Sequence, residues 1–250
     1  MTVRPGMLGG MDFPRLPVRQ VREHPAAPLD RHTWPATLAP VRHLLDHGLE
    51  LGTATVLIGE NGSGKSTLVE AIAGAYGLSP EGGSTGARHS TRPTESHLHE
   101  HLQLVRNPAT TRHGYFLRAE TMHGFFTYLE NNPSTSRPDL PFHEMSHGES
   151  FLDLVRDRFH GPGLWVLDEP ESALSFTGCL GLLSILMDRM AGGTSQIVLA
   201  THSPLLASLP GAHILEAGPW GLRPTPWEDL ELVHHWRTFL QDPHRYHRHL

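Results

Sequence analysis

Lysine is all but missing from this sequence. Of its 20 Lys and Arg residues only Lys65 is a lysine, and every other permanent positive charge is an arginine. Cysteine is as scarce: Cys179 stands alone, which excludes an internal disulfide and fits a reducing compartment. Positive charge is not in excess either. The net charge of −6 with histidine neutral argues against a strongly basic face for DNA or anionic lipid, and leaves room only for a local arginine cluster. Long apolar runs are absent, since the longest, Gly178 to Met187, is about half of the ~20 residues that cross a bilayer. The first residues carry Arg4 and scattered prolines without a continuous apolar segment, so no signal peptide is read there. A soluble, cytoplasmic protein without direct membrane insertion is expected, one that would need a partner to work at a membrane.

The single lysine marks the first site. Lys65 sits inside Gly59-Glu60-Asn61-Gly62-Ser63-Gly64-Lys65-Ser66-Thr67, which matches the phosphate-loop pattern G-x-x-x-x-G-K-[ST]. A compact ammonium on a flexible stem fits between two phosphates where a planar guanidinium suits flat carboxylates. The glycines free backbone N–H groups to face phosphate oxygens, and a following helix start adds favourable partial charge. Lys65 is expected to reach the β and γ phosphates of a nucleoside triphosphate, Ser66 to ligate Mg²⁺, and Thr67 to hold the α-phosphate region.

The context suits that motif. Thr53 to Ile58 is a short β-branched run entering the loop, and Ser66 to Tyr76 reads as the helix leaving it. Residues 1–35 read as irregular structure or edge strands. Leu98 to Arg106 and Gly114 to Arg118 look like strands, Met122 to Glu130 like a helix, and Asn131 to His143 like a proline-rich loop. Gly148 to Phe159 and Leu174 to Met190 read as helices, the latter ended by Gly192-Gly193. Trp227 to Leu240 reads as a terminal helix. Buried parallel strands are expected at Leu164 to Leu167 and Ile197 to Ala200, and their alternation with helices implies an α/β sheet.

Three further signals carry chemistry. Leu164-Trp165-Val166-Leu167 delivers Asp168 and Glu169 to a strand's C-terminal end, where open α/β sheets bind ligands. Asp168 is expected to hold the Mg²⁺ hydration shell, and Glu169 to orient and deprotonate an attacking water. Met145-Ser146-His147-Gly148-Glu149 precedes a helix, and His202 follows a strand. Ser146 lies 22 positions before Asp168 and His202 34 positions after it. His97, His99 and His101 alternate and would share one face of a strand. A solvated face is the simpler reading, because no Cys or carboxylate set accompanies them at ligand spacing.

In this order these motifs resemble the ABC-type ATPases: the phosphate loop Gly59–Thr67, the signature Ser146-His-Gly-Glu149, the acidic strand end Asp168-Glu169-Pro170, the following Glu171-Ser-Ala-Leu-Ser175, and the switch His202. The phrases Met145-Ser-His-Gly-Glu-Ser-Phe151 and Ala200-Thr-His-Ser-Pro204 look most like the soluble members related to SMC, RecF and OLD-type proteins. The resemblance implies an α/β P-loop NTPase fold: a mixed-sheet core flanked by helices, with a small antiparallel β part and a short helical subdomain. It places one domain over 1–250, with a core at about 36–80 and 160–217, an insertion at about 81–159 and a C-terminal helix at about 226–241. It implies ATP and Mg²⁺ as ligands and a homodimer closing head to tail on ATP. Each ATP would lie between the phosphate loop of one copy and Ser146 and Gly148 of the other, with His202 at the γ-phosphate.

Several positions depart from the family pattern. His147 replaces a glycine, Glu149 a glutamine, and Ser175 an aspartate. The Mg²⁺-contacting glutamine is assigned to Glu120, with Gln103 as its rival. Trp34 stands upstream at a distance suited to stacking on adenine, and reads equally well as a structural tryptophan. DNA maintenance or phage defence is the family-level expectation for function. Lys65 and Ser146 are only 81 positions apart, so no coiled-coil arm fits between them. The alternatives are a nucleotide-binding subunit of a membrane transporter, and an ATP-gated switch with negligible turnover. An unidentified protein partner is compatible with each.

Overall fold

The structure is a computed structural model, and it describes residues 16–79, 83–84, 96–108, 110–119 and 147–247. Its centre is a seven-stranded sheet of β3 (Ala54–Ile58), β4 (Gly83–Ser84), β6 (Gly114–Arg118), β7 (Gly163–Asp168), β8 (Ser195–Thr201), β9 (His213–Gly218) and β10 (Gly221–Pro224). The order across it is β10-β9-β3-β8-β7-β6-β4. The five strands between the edges run parallel, and β10 and β4 pair antiparallel at the two edges.

Strand periodicity splits the side chains between two cores. On β3, β7 and β8, Val56, Trp165, Leu167, Ile197 and Leu199 face one core, while Leu57, Leu164, Val166, Val198 and Ala200 face the other. The second core is closed by α1 (Ala39–His47) and α2 (Lys65–Tyr76), through Val41 and Leu44 and through Leu68 and Ile72. The first is closed by α3 (His147–Arg158) and α4 (Phe176–Ala191), with Phe151, Leu154, Phe159, Leu182 and Leu186. Val233 of α6 (Glu231–Gln241) also packs there. Phe159 stacks on Trp165 at 4.9 Å between centroids, and each such fully buried side chain contributes about 1.5–3 kcal/mol. The short helix α5 (Pro204–Ala207) follows β8, and α7 (His244–His247) follows α6.

A separate antiparallel sheet has the order β2-β1-β5, with β1 (Val18–Glu23), β2 (Leu49–Glu50) and β5 (Leu102–Arg106). The strand from the Pro- and Arg-rich beginning of the chain is therefore central in this small sheet rather than an edge, with Val18 and Val21 fully buried where β1 packs against α1. Gln196 joins the two sheets. Its Oε1 accepts from Val18 N at 2.9 Å, and its Nε2 donates to Val18 O at 2.7 Å and Gly52 O at 2.9 Å. A buried amide with both ends satisfied costs little and fixes one docking geometry.

Two further expectations are corrected. The strand read from Leu98 begins only at Leu102, and His97–His101 forms a 3-10 turn. The alternating histidines therefore share no strand face. Leu98 is fully buried, and Gly74 of α2 would place a Cβ 3.0 Å from the Cβ of His99, so the turn packs tightly on α2. His101 Nδ1 bonds Ala27 O at 2.8 Å, and no group of three or more metal-ligating side chains occurs among the described residues. Trp227–Asp229 is a 3-10 turn, and the terminal helix starts at Glu231. The expected helix over Met122 to Glu130 and the loop to His143 lie outside the described residues.

Candidate functional site

The phosphate loop leaves the end of β3 and enters α2 through three glycines. Gly62 and Gly64 adopt φ of 79° and 97°, a region that favours glycine. At Gly59 the need is space as well, since a Cβ would meet the Ala217 carbonyl oxygen at 2.5 Å. Lys65 is 2% exposed and folds back over the loop, where Nζ donates to Glu60 O at 2.9 Å. A cleft of about 450 Å³ opens here, lined by Trp34, Asn61, Gly62, Lys65, Ser66, Thr67 and Glu169 among others. Gly64 caps the start of α2, so unsatisfied N–H groups point at this space.

β7 carries the carboxylates to the same end of the sheet. Asp168 is buried, and its Oδ2 lies 3.4 Å from Arg118 Nε on the neighbouring β6. Arg118 also reaches Glu70 of α2 at 3.2 Å. Glu169 has φ 46° and ψ 51°, and is the one non-glycine residue with positive φ among those described. Such a conformation costs ~1–3 kcal/mol and persists only when neighbours enforce it. Here Glu169 N–H donates to Ala200 O at 2.9 Å, and Glu169 O accepts from Ser172 Oγ at 2.8 Å. The turn places Glu169 Oε1 3.6 Å from Lys65 Nζ and 3.7 Å from His202 Nδ1.

His202 leaves the end of β8 and is two-fifths exposed. It lines a second cleft of about 780 Å³ on the other side of the loop, together with Gly59, Asn61, Ser63, Trp220 and Trp236. Asn61 and Gly62 border both clefts. The fold thus gathers a buried ammonium, a strained carboxylate and an imidazole around one glycine loop. That set can bind phosphate, activate a water and answer charge on a terminal phosphoryl group.

Other expected site residues fall elsewhere. Gly148 lines neither cleft. A Cβ there would touch Ala173 O at 3.5 Å, which sets the start of α3 against the turn after Glu169. Ser146 and Glu120 lie outside the described residues. Gln103, the rival to Glu120, accepts a hydrogen bond from Arg22 Nε at 2.9 Å within the small sheet. Trp34 is 57% exposed at the mouth of the phosphate cleft, which suits a ring free to stack. Ser175 caps α4, its Oγ accepting from Gly178 N at 3.1 Å.

Sequence reasoning assigned no role to Arg118 and none of its own to Glu171. Arg118 left no motif to notice. Glu171 was visible as the third carboxylate of Asp168-Glu169-Pro170-Glu171, but its contact with β8 arises only from the fold.

A phosphate loop on a parallel sheet, with an acidic strand end beside it, defines a P-loop nucleoside triphosphatase. The chain belongs to the ABC transporter family, whose model matches residues 43–172, and it is an ATP hydrolase of that family. It is 30% identical over 181 residues to the cytochrome c biogenesis ATP-binding export protein CcmA of Nitrobacter hamburgensis, covering 64% of this chain and 84% of that one. Among solved structures it matches a putative metal-chelate type ABC transporter in an inward-facing conformation at 18% identity, over 75% of this chain and 80% of that one, with a TM-score of 0.44. The SMC head domain from Thermotoga maritima matches at 14% identity, over 72% of this chain and 93% of that one, with a TM-score of 0.41. Among the described residues no helix is long and apolar enough to cross a membrane.

Proposed function

We propose that this chain is a Mg²⁺-dependent ATPase whose turnover is coupled to head-to-tail pairing of two copies. One observation carries the reading: Lys65, Glu169 and His202 converge around the phosphate loop, while Gly148 lines neither cleft of its own chain. This supports a reading in which the signature segment that meets the γ-phosphate comes from a second copy. Ser146 and Gly148 would approach ATP in trans, with the start of α3 facing the terminal phosphate.

Within each copy Lys65 leaves Glu60 O to bridge the β and γ phosphates, and Thr67 holds the α-phosphate region. Gly59 to Gly64 supply backbone donors around the phosphates. Trp34 stacks on adenine. The donors fit a hard dication, because the Ser66 hydroxyl and the Asp168 carboxylate are oxygen ligands at adjoining ends of α2 and β7. Glu120 is the third candidate, since it stands two positions after the end of β6 in the sequence. Bound Mg²⁺ supplies charge neutralisation on the β and γ phosphates. Glu169 accepts a proton from the attacking water, and His202 steadies the γ-phosphate.

The residues from Met145 to Phe151 and from Ala200 to Pro204 favour membership of the soluble branch resembling SMC, RecF and OLD-type proteins, acting in the cytoplasm. The net charge of −6 gives DNA maintenance no support. A second reading is a nucleotide-binding subunit peripheral to a membrane. It is favoured by the match to the ABC transporter model and by a relative named as an export protein.

The test is the solution mass of Glu169→Gln with and without Mg-ATP. A shift from monomer to dimer on adding ATP is expected. A mass that never changes would sink the pairing switch and move weight to the subunit reading.

A further inference from the structure

The reading above leaves most of the larger cleft at the phosphate loop without a role. That cleft of about 780 Å³ runs from the loop to the β9–β10 turn and α6. Trp220 of the turn and Trp236 of α6 line it, 45% and 48% exposed. Trp220 is held firmly. The Arg223 guanidinium lies 4.0 Å from its ring centroid, and Glu216 fixes that guanidinium at 2.7 Å. Trp220 Nε1 donates to Glu216 O at 3.2 Å, and the ring lies so close over Gly218 that a Cβ there would meet it at 2.5 Å. One wall of the cleft is therefore a braced aromatic face.

A side chain suited to that cleft stands elsewhere on the same chain. Phe176 opens α4 and is 70% exposed, while Cys179, Leu182 and Leu186 of that helix are buried. It neighbours the signature turn. A Cβ on Gly148 would lie 3.5 Å from Ala173 O and 3.9 Å from Leu174 Cδ2, and Leu174 is two residues before Phe176. A surface that receives the start of α3 is thus offered Phe176 beside it.

In the head-to-tail reading that surface is the phosphate loop of the second copy. One side of the loop, at Trp34, Lys65 and Thr67, is given to the nucleotide. The other side is the tryptophan cleft, and Asn61 and Gly62 border both. A partner face laid across the loop reaches this cleft. An exposed phenyl ring and an exposed apolar cleft both gain by leaving water, and aromatic rings add a geometric preference for stacked or edge-on contact. Two-fold symmetry would make the contact twice.

We propose that Phe176 of one copy seats between Trp220 and Trp236 of the other, so that this cleft is the anchor site for a second copy of the chain. The proposal rests on the head-to-tail reading and adds a contact away from the nucleotide. Its effect is on the strength of pairing, not on the reacting groups.

The experiment uses the Glu169→Gln chain with Mg-ATP. Sedimentation gives the dimer dissociation constant, and fluorine spectra of fluorotryptophan-labelled protein report on the cleft. The Trp220 and Trp236 signals are identified by their loss in Trp220→Phe and Trp236→Phe. Both signals should shift when the dimer forms. Phe176→Ala should weaken the dimer by roughly tenfold or more while ATP affinity of the single copy stays within about twofold, and Phe176→Ala with Trp236→Ala together should weaken it by less than the product of the two separate effects.

A dimer whose tryptophan signals stay where they were in the monomer would overturn the proposal and leave the pairing intact, and those spectra need no alanine variant to fold. So would signals that still shift fully in a Phe176→Ala dimer, because another segment would then fill the cleft. Signals that shift on adding Mg-ATP to a chain that stays monomeric would give the cleft to the nucleotide and overturn both the proposal and the pairing. A mass that never changes, with unmoved signals, would likewise sink both.

Discussion

The phosphate loop and the signature turn are the two most specific stretches of this chain, and the fold treats them differently. The loop at 59–67 meets Glu169, and through it His202, within one copy, over contacts of 3.6 and 3.7 Å. The start of α3 at Gly148 instead rests against the carbonyl of Ala173, outside both clefts. One half of the site is assembled by strand order: β3, β8 and β7 are neighbours, so their C-terminal ends lie side by side. The other half is placed by helix packing of Phe151, Leu154 and Val155 into the opposite core, and that packing faces it elsewhere. Local completeness in one region and incompleteness in the other is what a composite site between two copies requires.

This contrast can be broken most forcefully on the complete side. Lys65→Ala should lower ATP affinity by at least ~100-fold, since it removes a buried charge-assisted contact and nothing nearby replaces it. Retained tight binding in a fluorescent-nucleotide titration would refute the phosphate-loop assignment.

The incomplete side is tested by Gly148→Asp. A Cβ there finds ordinary space, so the fold should stand. Each copy should still bind ATP, yet turnover should drop by tenfold or more, because the charge would face the partner's γ-phosphate. Mixing Gly148→Asp with Lys65→Ala should restore activity, because one of the two composite sites is then intact. Activity of Gly148→Asp equal to that of the parent, or no recovery on mixing, would break the trans arrangement.

The smallest effect sharpens a departure from the family pattern. Ser175 stands where an aspartate is usual, and it caps α4 through Gly178 N. Ser175→Ala should cost about 1 kcal/mol in denaturant unfolding. Ser175→Asp should keep stability, since aspartate caps as well as serine does. A large loss with Asp would show that the position is held by something other than the cap.

Legibility followed the range of the forces involved. The β-branched run into the loop, the helix from 65 to 76, and the apolar strands at 163–168 and 195–201 were readable because their periodicity and glycines are local. The strand at Val18–Glu23 was misjudged as irregular or edge structure because its burial depends on partners at Leu49–Glu50 and Leu102–Arg106, far along the chain. The histidine turn was misjudged for a related reason. Alternation suggested a strand, whereas one buried leucine and a glycine on α2 decided on a tight turn.

By itself the sequence determined the phosphate-binding chemistry, because spacing within nine residues sets loop, lysine and helix start together. It also determined the acidic strand end, where an apolar run must be buried and its carboxylates must then emerge at the sheet edge. Only the tertiary structure decided which groups meet across the sheet. Glu169 comes between Lys65 and His202, Arg118 beside Asp168, and Glu171 under His202, because those contacts join residues 31 to 104 positions apart, and only strand order brings them together.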